Sequence, residues 1–367
     1  MGAVLAMIQK FRTKLLHSTV LLALFLVACA QGDSTTEDPG ALATQFVSES
    51  GVAGVAITVG INNELVWSEG FGYADLEQEV PIDPALTRFR VGSTAKSMTA
   101  MALGQLHEAG LLDLDLPIQT YVPDFPQKES PITTRMLAGH LGGIRHYDGS
   151  EFLSTTAYTS VSDALVIFEN DPVVVPPGSE FSYSTYGYNL ISAIIEGASD
   201  QEFLTYMSEN VFGPTGMSRT GADHVVPIIS YRSRYYGLED GQLVNSPWVD
   251  NSNKWAGGGF LSTSEDLVRF GFAHLSDEFL QPDTIEMMWT SQLTTNGEPT
   301  GYGIGWGTGT DDSGRRRISH GGGSVGGTTD LRIYPDEGLV IAVITNTSRA
   351  DLGEFTDRIV EVFLRGN

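Results

Sequence analysis

Ser93 and Lys96 stand three residues apart in the stretch Ser93-Thr94-Ala95-Lys96. On a helix that spacing puts both side chains on one face, near enough for the amine to take the hydroxyl proton. From Ser97 through His107 the chain carries no Asp, Glu, Lys or Arg, so a helix here is expected to be buried nearly all round. An ammonium inside such a helix is costly to desolvate, which lowers its pKa and makes the amine a usable base. The helix N-terminus adds backbone N–H groups and partial positive charge beside Ser93, where an oxyanion would develop. The chemistry implied is acyl transfer through a serine nucleophile. Chance supplies a Ser-x-x-Lys on the order of once in a chain of this length. Of the five lysines, however, only Lys96 has a serine three residues before it.

Two further segments supply partners for such a pair. Pro176-Pro177-Gly178 turns the chain into Phe181-Ser182-Tyr183-Ser184-Thr185, ahead of a helix with Leu190, Ile191, Ile194 and Ile195 on one face. Tyr183, just before that helix, can bring a phenolic oxygen to Ser93 as a phenolate base or a proton relay. Tyrosines two residues before a serine also occur at Tyr158, Tyr206 and Tyr231, without the Pro-Pro-Gly approach. His320-Gly321-Gly322-Gly323 follows an expected strand at Arg316 to Ser319, and its glycines can offer a second oxyanion donor; a glycine-rich turn carrying a surface histidine is the plainer alternative. Gly322-Gly323-Ser324-Val325-Gly326 matches a nucleophile elbow, but the reading fails. An elbow needs a helix after its serine and a histidine later in the chain; Thr328 to Tyr334 reads as a strand and no histidine follows. His140 and His146 lack a third ligand at metal spacing and read as loop residues, so no metal is expected. Arg315-Arg316-Arg317 reads as a solvated hairpin shoulder, the Gly257 to Gly259 loop as cleft lining, and Ser262 or Thr263 as a helix cap.

The elements that must hold these residues follow from periodicity. A helix is expected around Ala41 to Glu49. Val52 to Gly60 and Leu65 to Gly72 form a hairpin across Asn62-Asn63. The middle, about 112 to 285, is rich in Pro and Gly with helical segments at Asp163 to Glu169 and Gly187 to Ala198. Strands return at Tyr302 to Gly307, Arg316 to His320, Thr328 to Tyr334 and Leu339 to Asn346, before a helix at Leu352 to Leu364. The fold class this predicts is α+β: one antiparallel sheet built from both chain ends, flanked by helices, with a largely helical subdomain inserted at 112–285 and a cleft between.

At 367 residues and 41% hydrophobic content the chain can bury a sizeable core. A formal charge of −24, from 45 acidic against 21 basic residues, argues against a nucleic-acid partner. Residues 1–30 read as a signal peptide: Lys10, Arg12 and Lys14 precede an apolar run from Thr19 to Ala30 that is short for a membrane span. Leu26-Val27-Ala28-Cys29 resembles a bacterial lipobox in which Cys29, the single cysteine of the chain, is lipidated; the alternative is cleavage after Ala30 at an A-x-A site. Either way the expectation is export, to the bacterial cell envelope, without a disulfide. Residues 31–40 read as a flexible tether and 41–367 as the folded domain.

Ser93, Tyr183 and His320, in this order and spacing, resemble the serine β-lactamase-like and penicillin-binding-protein superfamily, nearest to its class C-type enzymes, serine peptidases and esterases. The resemblance spans residues 41–365 and includes Phe89 to Gly92, Met136 to Ile144 and Ala256 to Thr263. Gly143 to Tyr147 with Tyr183 to Thr185 looks like the mitochondrial serine β-lactamase-like protein and its bacterial relatives. It implies Ser93 as acylated nucleophile, Lys96 as base, Tyr183 as proton shuttle, and an oxyanion hole from the N–H groups of Ser93 and Gly323. It further implies that His320 opens a third motif and that Thr185, Gly321 and Gly322 line the substrate cleft. Thr185 stands where β-lactamases usually carry an asparagine, and His320 where they carry a lysine; a neutral imidazole offers no fixed charge at pH 7. The expectation is therefore hydrolysis of a small peptide, amide or ester without cofactor. The rivals are a β-lactamase or D-Ala-D-Ala carboxypeptidase, and a scaffold that keeps the fold without catalysis.

Overall fold

A computed structural model of the chain describes residues 37–365. Helix α1 (Pro39–Ser50) is capped by Asp38, whose carboxylate accepts from Gly40 N, and it ends at Gly51 in the left-handed conformation. Helix thus begins inside the expected tether. The expected signal peptide and Cys29 lie outside the described residues.

The hairpin forms as β1 (Gly54–Ile61) and β2 (Glu64–Asp75). Asn62 and Asn63 turn it with positive φ, a conformation asparagine tolerates. A short β3 (Val80–Pro81) pairs with the outer edge of β2. From β4 (Phe89–Arg90) the chain enters a 3-10 turn at Gly92–Thr94 and then α2 (Ala95–Glu108), buried along nearly its whole length as the charge-free sequence requires.

The middle is less helical than its sequence suggests. It contains α3 (Thr134–Ala138), α4 (Val161–Leu165), α5 (Thr185–Ser199), α6 (Phe203–Tyr206) and a π-helical turn over Met207–Phe212. It also holds strands β5 (Gly221–Ala222), β6 (Tyr236–Glu239) and β7 (Gln242–Asn245), followed by α7 (Trp255–Gly258), β8 (Phe260–Ser262) and α8 (Ser264–Ala273). β4, β8 and β5 make a three-stranded sheet, and β6 with β7 a separate hairpin. The expected subdomain is therefore corrected to helices interleaved with small sheets and long loops, in one compact unit with the rest. Side-chain ion pairs hold those loops where no ladder does: Arg145 bridges Glu151 at 2.7 Å and Asp171 at 2.5 Å.

After α9 (Pro282–Trp289) come β9 (Gly307–Thr310), β10 (Arg316–Ser324), β11 (Gly327–Tyr334), β12 (Leu339–Thr345) and α10 (Gly353–Leu364). The main sheet runs β3-β2-β1-β12-β11-β10-β9, all antiparallel, so strands from the two chain ends meet at its centre, Val59 opposite Ile341. Alternate side chains of β1 and β12 face two cores. Val55, Ile57, Ile341 and Val343 pack with Leu42 of α1 and Phe355 and Ile359 of α10. Ala56, Val340 and Ala342 face α8, α2 and the rest. Burial on both faces is why β1 reads as a nearly continuous apolar run. Tyr302 to Gly307 is not a strand: Gly301 and Gly305 have φ of 70° and 75°, and the aromatic residues plug the core from a loop. β10 and β11 meet in a tight hairpin after Ser324, confirming that no helix follows that serine.

Candidate active site

Ser93 sits in the 3-10 turn one step before α2, not on the α-helix itself. Gly92 lets the chain make this turn: its φ is +52°, and a Cβ there would lie 2.6 Å from Gly323 O. From the other side, a Cβ on Gly322 would lie 1.9 Å from Val91 O. The two bare backbones thus cross in contact, which sets Gly323 beside the turn that carries Ser93. The glycine run lies inside β10, not beyond its end, and Gly322 is its member pressed against the turn; a Cβ on Gly323 would meet nothing within 4 Å.

Lys96 is fully buried, and its Nζ lies 3.1 Å from Ser93 Oγ, 3.1 Å from Thr185 Oγ1 and 2.7 Å from Gly257 O. No carboxylate pairs with it among the described residues. Burial, then the nearby Lys254 ammonium, hold its pKa well below the ordinary lysine value. A neutral amine fits this geometry: two N–H groups donate to Gly257 O and Thr185 Oγ1, and the lone pair accepts the Ser93 hydroxyl proton. The Tyr183 phenol comes near enough to Ser93 to be influenced by its hydroxyl, and burial raises that phenol to about 12. The phenol is therefore protonated at neutral pH, which favours the relay over the phenolate base. Lys96 Nζ stands 4.9 Å from the centre of the Tyr183 ring.

The cavity beside Ser93, about 240 Å³, is lined by Ser93, His146, Tyr147, Phe152, Thr185, Lys254, Gly257, Gly258, Gly323 and Ser324. Phe152, Gly323 and Ser324 also border a groove of about 1020 Å³ that runs past Gly321 and Gly322 toward the β6–β7 hairpin. Thr185 does line the cleft, but its hydroxyl is engaged by Lys96. His320 does not line it. Its ring is buried, Nε2 accepts from Tyr302 OH at 2.8 Å and Nδ1 donates to Gly321 O at 2.7 Å. Burial pushes its pKa down to about 3. Its place among the catalytic side chains is corrected accordingly: both ring nitrogens are spent, and His320 braces β10 from behind.

The Gly257 to Gly259 loop, expected to line the cleft, does so through Gly257 and Gly258; Lys254 and His146 escaped the sequence reading. Gly257 supplies a carbonyl that no side-chain pattern reveals. Lys254 lines the cleft with its ammonium against the Tyr147 and Phe152 rings, donating to Phe152 O at 3.0 Å; desolvation lowers it to about 8. The rarity of lysine in this chain was the available signal. His146, read only as a loop residue, lines the cleft as well. No three-ligand metal cluster occurs among the described residues. The Arg315 to Arg317 shoulder is engaged by Asp311, Glu286, Glu361 and Asp357, and Thr263 caps α8 by accepting from Asp266 N.

A serine, a buried carboxylate-free lysine and a phenol, held between a helix head and an open strand, define the serine β-lactamase and penicillin-binding-protein class. A family profile described as Beta-lactamase matches residues 40–362, and the chain belongs to that family. It is 33% identical to the human mitochondrial serine beta-lactamase-like protein LACTB, over 86% of this chain and 77% of that protein. Among solved structures, the octameric penicillin-binding protein homologue from Pyrococcus abyssi matches with TM-score 0.77 and 26% identity, over 90% of this chain and 78% of that one. The D-amino acid amidase from Ochrobactrum anthropi SV3 shares the fold, with TM-score 0.78 at 22% identity over 89% of this chain and 98% of that one.

Proposed function

We propose that this protein is a serine hydrolase that cleaves peptide, amide or ester bonds through an acyl-enzyme on Ser93. The observation that carries the reading is the fully buried Lys96, which touches Ser93 with no anion beside it. In acylation Ser93 Oγ bonds to the substrate carbonyl carbon while its proton passes to Lys96 Nζ. The backbone N–H groups of Ser93 and Gly323 receive the oxyanion. Collapse breaks the bond to the leaving nitrogen or oxygen, which takes a proton relayed from Lys96 through Tyr183. Water then gives a proton back along the same relay and attacks the acyl carbon, and Ser93 leaves as the hydroxyl.

With His320 neutral and enclosed, the third motif presents no cation to a β-lactam carboxylate, which favours peptides or esters over β-lactams. Intact-mass measurement after a fluorophosphonate or penicillin probe tests this, with Ser93→Ala as control. Phosphonate labelling without penicillin labelling is expected. Labelling by both returns the β-lactamase or carboxypeptidase reading, and labelling by neither leaves a scaffold. The N-terminal sequence supports export and a lipid anchor at Cys29; palmitate incorporation should vanish in Cys29→Ala.

A further inference from the structure

We infer that His146, paired with His140, is a positioning residue that holds the segment Tyr183-Ser184-Thr185 in register with Ser93 and Lys96; this rests on the hydrolase reading. A helix start leaves backbone N–H groups without intrahelical acceptors. At α5 two successive ones go to imidazoles: Ser184 N donates to His140 Nδ1 at 3.2 Å and Thr185 N to His146 Nδ1 at 3.1 Å. Ser184 Oγ takes a third, from Gly187 N at 2.9 Å. The Tyr183 ring touches both imidazoles, 4.2 Å from His140 and edge-on to His146 at 5.6 Å.

The two held amides flank the chemistry. Tyr183, just before them, reaches the nucleophile, and Thr185 reaches the base. Accepting at Nδ1 requires a neutral ring with its proton on Nε2. The cleft enforces that state: burial lowers both histidines. His140 is sealed among aromatic rings, with φ of +59° and no partner for Nε2 among the described residues. His146 is on the open side, lining the cavity with Ser93. Its loss therefore removes an acceptor without emptying the core, so it is the member to substitute.

Asparagine places an oxygen as many bonds from Cα as Nδ1; glutamine places it one bond further; leucine offers none. The full chain and its His146→Asn, His146→Gln and His146→Leu variants are compared by the rate of Ser93 labelling with a fluorophosphonate. ¹⁵N-histidine spectra of the parent protein report the tautomer. His146→Asn is expected within about threefold of the parent, and the other two slowed about ten- to a hundredfold, the range for one lost buried acceptor. Melting temperatures should stay close across the set. Equal rates in all four proteins, or loss in all three variants alike, would overturn the inference, as would an Nδ1–H tautomer at His146. If the parent itself is not labelled, the hydrolase reading falls and the positioning role falls with it; the tautomer then decides only whether the imidazole clamp on α5 exists.

Discussion

At the scale of single residues, the proposed chemistry depends on withheld charge. In that proposal Lys96 is a base only while unprotonated, so acylation should rise with pH as that amine loses its proton. Lys254 is a second cation nearby and helps keep Lys96 neutral. Lys254→Met keeps the aliphatic packing against Tyr147 and Phe152 but removes that repulsion, so the Lys96 pKa should rise and the acid limb of the rate should move to higher pH. Phosphonate labelling rates measured across pH check this; a limb that stays put, or moves down, contradicts it. Tyr183→Phe removes the proposed relay but not the proposed base. Turnover of a p-nitrophenyl ester should fall about 10²- to 10⁴-fold, with the acyl-enzyme accumulating in intact-mass spectra.

At the scale of elements, what matters is how closely two backbones approach. Gly322 lies against Val91, and Gly322→Ala has nowhere to put its methyl group. The strand must shift away from the nucleophile turn, so labelling of Ser93 should be largely lost even where circular dichroism shows a folded protein. Thr263 offers a contrast. It is buried, and its hydroxyl caps α8 outside the cavity that Ser93 lines. Thr263→Ala should cost about 1 kcal/mol in urea unfolding and leave the labelling rate of the folded protein unchanged.

At the scale of the whole molecule, β1 and β12 join the chain ends at the centre of the sheet, so neither terminal part has a finished core alone. One buried ion pair ties distant segments near the site. Arg90, directly before the nucleophile turn, bonds Asp223 at 2.7 Å and donates to Val325 O at 2.8 Å in the β10–β11 hairpin. Asn251 donates to the same carboxylate at 2.9 Å. Asp223→Asn leaves a buried guanidinium without its anion and should destabilise the fold by about 3–5 kcal/mol, read from the urea midpoint.

The sequence by itself determined the parts whose signal is local. The charge-free helix marked Lys96 as buried, the apolar runs marked β1, β2, β11 and β12, and Pro-Pro-Gly with an apolar helix behind it marked Tyr183. Each of these is written in consecutive residues, because periodicity and capping act over a turn or two. Other features depended on neighbours far along the chain. Tyr302 occupies the His320 nitrogen that looked free; Gly257 offers Lys96 a carbonyl; two histidines that looked incidental hold α5. The run Tyr302 to Gly307 resembled a strand until positive-φ glycines folded it into the core. A hydrogen bond between groups brought together only by folding leaves no periodic trace, so which of the candidate groups remained free for chemistry was decided by packing.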